Sequence, residues 1–219
     1  MNQQTNGTPF EVKDCALTAI ATGKRAQNIK ELRQILDDIH PGCLYYHFWG
    51  DKLRPKFIDL EYFNDFAYWA NSSLHEPKLA ERLAVIDPTG YDSLEALRQD
   101  VIDILEERLD EIDVPMWTKP DEQFYFIRSQ IVVFETQHFI YHPHELAQAI
   151  EDMSLSSVFY HFVDARRRTP DHLDDFRAWL RGFDGKYETL VNEISKLDVY
   201  FTPLGSLKQN LLGLFRQHV

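Results

Sequence analysis

Leu44-Tyr45-Tyr46-His47-Phe48 is written a second time as Val158-Phe159-Tyr160-His161-Phe162, 114 residues further on. Asn64-Asp65-Phe66-Ala67-Tyr68-Trp69 returns as Asp174-Asp175-Phe176-Arg177-Ala178-Trp179, 110 residues on. An internal repeat changes the reading of every other feature, because each half must then build a similar set of elements. At the longer shift, residues 10–48 align with 124–162 without a gap, and nine of the 39 pairs are identical. Roughly two or three would match by chance at ordinary residue frequencies. Phe10/Phe124, Thr22/Thr136, Glu31/Glu145 and His47/His161 are among them. The change of shift removes four residues from the second half, most simply from a loop at Lys52–Asp59 of the first. A solenoid needs more copies to bury its faces. The expectation is a tandem duplication, copies at 10–111 and 124–219 with a linker at 112–123. The halves would pack as one two-lobed body about a pseudo-two-fold axis.

Working outward, Phe124–Phe134 (FYFIRSQIVVF) is aromatic and β-branched and predicts a strand; Phe10–Ile20 is its less β-like counterpart. Two lone strands leave backbone groups unpaired unless they pair with each other. Helical periodicity then dominates. Leu32, Ile35, Leu36 and Ile39 form one face, with Asn28 ahead of them; Leu146, Ala149, Ile150 and Met153 repeat it after Pro143. The Tyr-His-Phe segments follow, with Ser156-Ser157 as N-cap candidates in the second. A third helix is expected near Glu61–Leu74, repeated at Asp171–Leu180 and closed by Gly182 and Gly185. A fourth is expected at Pro77–Ile86. The fifth carries Leu94, Leu97, Val101, Leu105 and Leu109 behind Ser93, repeated by Leu204, Leu207, Leu211 and Phe215. The fold class is therefore mostly α (α+β), with about one strand and five helices per copy.

Lys and Arg number 23 against 35 Asp and Glu, a net charge of −12. That disfavours nucleic acid and anionic membranes as partners, since both attract net positive charge. No apolar run approaches the ~20 residues of a membrane helix, and Met1–Pro9 is polar rather than signal-like. A cytoplasmic location is expected, with disorder confined to Met1–Pro9. Cys15 and Cys43 match Ser129 and Ser157, so neither thiol belongs to the shared plan.

The repeated histidines invite two readings. His47 and His161, oriented by Asp65 and Asp175, could be acid–base residues or ligands of a site between the halves. Equally, an Asp–His hydrogen bond between helices two and three would hold the repeat together without chemistry. Trp69 and Trp179 sit at core spacing, though either could stack on a sugar or base. Cations found in one copy only are better candidates for divergent function. Lys24 and Arg25 follow the first strand in Thr22-Gly23-Lys24-Arg25, where a glycine turn could cradle an anion, without the pattern of a Walker loop. Arg166, Arg167 and Arg168 could clamp phosphate or carboxylate, or simply complement a helix end. His138, His142 and His144 fit no standard zinc spacing, and neither metal nor cofactor is expected. The acidic stretch Glu106–Asp113 reads as a solvated helix face or a docking surface for a basic partner.

At the Tyr-His-Phe and Asp-Phe-x-x-Trp signatures, and at Ala21-Thr22-Gly23-Lys24-Arg25-Ala26, the chain resembles an uncharacterised prokaryotic family, a domain of unknown function. The likeness runs from about Phe10 to the C-terminus. It implies an association with sugar metabolism, because members are encoded near, or fused to, glycosyltransferases of the trehalose and sucrose type. It carries no catalytic residues over. The expected function is an accessory or regulatory protein that binds a phosphorylated sugar or such a glycosyltransferase. The alternative is a small-molecule enzyme with a His/Asp site.

Overall fold

Phe124–Ile140 forms one strand of seventeen residues (β2) and Phe10–Ala26 another of seventeen (β1), longer than the sequence pattern suggested. They pair with each other as a two-stranded antiparallel sheet in a computed structural model, which describes residues 8–53, 61–112, 120–169 and 171–219. The register is fixed by threonine. Thr22 Oγ1 donates to the carbonyl of Phe126 (2.6 Å), and Thr136 Oγ1 donates to that of Val12. The Thr22–Arg25 segment therefore lies inside β1, not after it. Gly23 has φ 75°, and the matched Gln137 in β2 has φ 58°, so each strand carries one left-handed residue beside its threonine. Residues 54–59 of the expected Lys52–Asp59 loop, most of the 112–123 linker and the first residues of Met1–Pro9 fall outside the described residues.

The chain divides into two compact units. One holds residues 17–130. The other holds the chain up to Ala16 together with 131–219. Each unit thus combines the helices of one matched stretch with strand segments from both.

In the 17–130 unit, α1 (Ile29–Leu36) begins at Asn28, whose side chain accepts the Glu31 N–H at 2.8 Å. Glu31 reciprocates by accepting from Gln27 N, a two-way cap. α1 packs on α5 (Leu94–Asp110), and α3 (Asp65–Ser72) on α4 (Pro77–Ala84); α2 (Pro41–Trp49) touches α3 and α5. Leu32, Leu36, Leu44, Phe48, Phe66, Leu83, Leu97 and Leu105 are fully buried between them. Ser93 caps α5 as its position predicts, accepting from Ala96 N. Buried Arg98 donates to the carbonyls of Leu36 and Ile39 (2.7 Å to the latter), satisfying the C-terminal end of α1.

The other unit uses the same devices. α6 (Leu146–Asp152) follows a 3₁₀ turn at Pro143–Glu145, and Glu145 accepts from the backbone N–H groups of Tyr141 and His142. Those bonds hold its carboxyl below the usual range. Lys208, from α11 (Leu204–His218), donates to the carbonyls of Glu151 and Met153 at the end of α6. α10 (Glu188–Ser195) packs on α9 (Asp175–Leu180) and α11. Two local details differ from the sequence reading. The cap of α7 (Leu155–Val158) is Ser154, whose hydroxyl accepts from Ser157 N, so the Ser156-Ser157 expectation is corrected by two residues. The Tyr160-His161-Phe162 segment is π-helical over Phe159–Asp164, leading into α8 (Ala165–Arg168). α9 ends at Leu180; Gly185, at φ 76°, serves the following turn. Among the described residues no helix is long and apolar enough to cross a membrane.

Candidate functional site

His161 is buried at the π-helical segment, and both ring nitrogens are engaged. Nε2 accepts the backbone N–H of Lys13 on β1 (2.8 Å), and Nδ1 lies 2.7 Å from Asp175 Oδ2. Since Nε2 is an acceptor, the proton sits on Nδ1 and is donated to the carboxylate. Phe10 stacks on Phe176 at 5.1 Å and packs against His161 and Trp179. Trp179 Nε1 donates to the carbonyl of Thr8.

The 17–130 unit repeats this arrangement residue for residue. His47 Nε2 accepts from Ile127 N on β2 (3.1 Å), and Nδ1 meets Asp65 Oδ2 at 2.7 Å. Phe124 stacks on Phe66 at 5.0 Å and packs against His47 and Trp69, whose Nε1 donates to Glu122 O. Each histidine is therefore a clasp. It fixes a strand segment from one matched stretch to a helix pair of the other. An imidazole used in this way offers no lone pair to a metal and no open nitrogen to a proton in transit. His47 and Asp65 belong to one unit, His161 and Asp175 to the other.

Cysteine and serine share a role that residue type concealed. Cys15 Sγ donates to Ser156 O at 3.3 Å, and its matched Ser129 Oγ donates to Gly42 O at 3.0 Å. Contrary to the sequence reading, Cys15 thus shares the hydrogen-bonding role of its matched Ser129. Burial pushes its thiol up to about 12.

Of the five candidate cations, Arg168 stands at a cavity. Arg168 lines a hollow of about 230 Å³ with Glu11, Lys13, Tyr160, Asp175 and Trp179, over the His161 clasp. Its Nε and Nη2 bind Asp164 Oδ2 and Asp175 Oδ2 (both 3.0 Å), and its guanidinium lies 4.0 Å from the Tyr160 ring centre. Lys13, which the sequence reading passed over, pairs with Glu11 at 3.1 Å; that hydrogen bond raises its pKa. Burial raises the Tyr160 phenol. Arg167 pairs with Asp164, while Arg166 lies over the Phe162 ring and 3.6 Å from Asp174. Lys24 and Arg25 stand exposed on β1 in the 17–130 unit. His142 and His144 stack at 5.4 Å, and no group of three or more His, Cys, Asp or Glu residues among those described could hold a metal.

The arrangement defines a class: an α+β protein in which paired strands are clasped to helices by Asp-oriented histidines. A family model described as a family of unknown function, DUF5752, matches residues 7–216, and the chain belongs to that family. The solved structure of OrfY from Thermoproteus tenax is similar over 98% of this chain and 97% of that one, with 24% identity and a TM-score of 0.84. That likeness concerns the fold. No curated protein matches the chain.

Proposed function

We propose that this is an accessory or regulatory protein of the cytoplasm that binds a phosphorylated sugar in the cavity above the His161 clasp. The observation that carries the reading is the convergence of Lys13 and Arg168 on one hollow with the carboxylates of Glu11 and Asp175 and the aromatic Tyr160 and Trp179. Two cations suit a phosphate. Carboxylates accept from sugar hydroxyls, and an aromatic wall suits the apolar face of a sugar ring. The volume admits one monosaccharide. The π-helical turn adds support, because such segments recur at functional sites. The two matched stretches are read as a tandem duplication in which the first supplies Lys13 and the second Arg168, and Ile127 stands where Lys13 would repeat. Lys24 and Arg25 are left without a role in this site, and Arg166 and Arg167 hold Asp174 and Asp164. The His/Asp enzyme reading loses force, because it needs a free ring nitrogen on His47 or His161.

The test is thermal unfolding with sugar phosphates, inorganic phosphate and unphosphorylated sugars. A ligand at 100 times its Kd stabilises by about 2.7 kcal/mol. A sugar phosphate should raise the melting temperature, and Lys13→Glu should abolish the shift without unfolding the protein. No shift with any sugar phosphate, or a shift that survives Lys13→Glu, sinks the assignment.

A second reading is favoured by a separate observation. Val132, Val133, Phe134, Phe139 and Tyr141 of β2 and its exit are each 40–51% exposed, a run of large apolar side chains facing solvent. Such strips mark protein-binding surfaces. With a net charge of −12 the fitting partner surface is basic. A glycosyltransferase of sugar metabolism is the partner proposed, and loss of its binding in Phe134→Asp checks it.

A further inference from the structure

The 17–130 unit carries a larger hollow whose chemistry is opposite to that above His161. It measures about 480 Å³ and is lined by Gln27, Pro120, Asp121, Glu122, Gln123 and Tyr125. Among the described residues no Lys or Arg lines it. Its wall is built rather than loose. Asp121 N donates to Ser73 O (3.1 Å), Trp69 Nε1 donates to Glu122 O (2.7 Å), and His75 Nε2 meets Asp121 Oδ2 (2.9 Å). Three bonds thus fix the 121–122 backbone and one carboxylate to the C-terminal end of α3. Tyr125 presents its ring to solvent, 58% exposed, on the same wall.

The donor and acceptor inventory selects the ligand. Two carboxylates repel an anion, so phosphate-bearing compounds are excluded. A purely apolar ligand would strip water from four polar side chains and return no hydrogen bonds. An amine would engage the carboxylates and the amide oxygens but, having no acceptor, would leave the amide N–H groups of Gln27 and Gln123 unanswered. A neutral hydroxyl matches all of them, since it donates to a carboxylate and accepts from an amide. The exposed phenol ring then offers a face for the C–H side of a saturated ring. We propose that this hollow binds a neutral, polyhydroxylated ring compound, a sugar or cyclic polyol of up to two rings.

The experiment is titration calorimetry of the full chain with glucose, a glucose disaccharide, myo-inositol and spermidine. A neutral polyol should bind. Tyr125→Ala and Gln123→Ala should each weaken it at least tenfold, Tyr125 being exposed enough for its loss to spare the fold. Lys13→Glu should leave it unchanged, which separates this site from the cavity above His161. Three results would each overturn the proposal: no heat with any neutral polyol at 50 mM, binding that survives both variants, or binding of spermidine in preference to the polyols.

Discussion

Gly23 and Gln137 sit in the same left-handed conformation within their strands, yet only one is glycine. Each follows a threonine whose hydroxyl bonds to the other strand and accepts from the residue after the kink, at Lys24 N and His138 N. A Cβ at Gly23 would meet no atom within 4 Å, so only backbone strain opposes a side chain there. Left-handed backbone costs a non-glycine residue about 1 kcal/mol or more. Gln137→Gly should therefore stabilise the protein by about 1 kcal/mol, less the entropy glycine loses on folding, and Gly23→Gln should destabilise it by a similar amount. Urea unfolding of both variants checks the signs; shifts in the same direction would show that the kink is not the cause. The identity of Thr22 and Thr136 was legible from the alignment. The kink beside them was not, because Gly and Gln share no property that marks a positive φ.

Among the elements, the strand–helix clasp is the unit that holds. His161 joins β1 to the π-helical segment and α9, and His47 joins β2 to α2 and α3. In each case the imidazole satisfies one backbone N–H and one carboxylate. Removing it strips the N–H of its acceptor, and for His47 the Asp65 carboxylate of its donor as well, beyond the cavity left behind, whereas Asp175 keeps Arg168. A part-buried group so orphaned costs up to about 1–3 kcal/mol. His47→Ala should therefore destabilise by about 3 kcal/mol or more, taking cavity and lost bonds together. The site of damage is a sharper readout than the total. Amide hydrogen exchange should accelerate at Ile127 in His47→Ala, with Lys13 unaffected, and the reverse should hold for His161→Ala. Uniform acceleration at both amides would mean that the clasps are not separate units of stability. The helices were legible because burial imposes period on Leu and Ile, and the Asp–His bond because both residues recur together. The third partner could not be read. It is a main-chain N–H, and Lys13 and Ile127 have no side-chain property in common. Nor does composition reveal the π-helical turn, since Tyr-His-Phe is α-helical in α2.

At the scale of the whole chain, the matched stretches and the compact units cut the sequence differently, and the difference has a mechanical consequence. Residues 10–16 of β1 belong with the helices after Ile131, and residues 120–130 belong with the helices before Ile112. Neither stretch contains all the strand its own helices bind: Lys13 N, Val12 O and Phe10 serve His161, Thr136 and Phe176, while Ile127 N, Phe126 O and Phe124 serve His47, Thr22 and Phe66. Alignment alone could not show this exchange, because a strand segment bound by the helices of its own matched stretch and one bound by those of the other have the same sequence. A protease site placed between residues 113 and 119 should accordingly cut the backbone without separating the pieces. The cut protein should elute as one species of the uncut mass and part only in denaturant. Because the pieces no longer share a chain, folding becomes bimolecular, and the melting temperature should rise with protein concentration after cutting, but not before. Pieces that separate in native buffer and remain folded would show that each stretch closes on its own strand, and the exchange would then contribute nothing to holding either unit together.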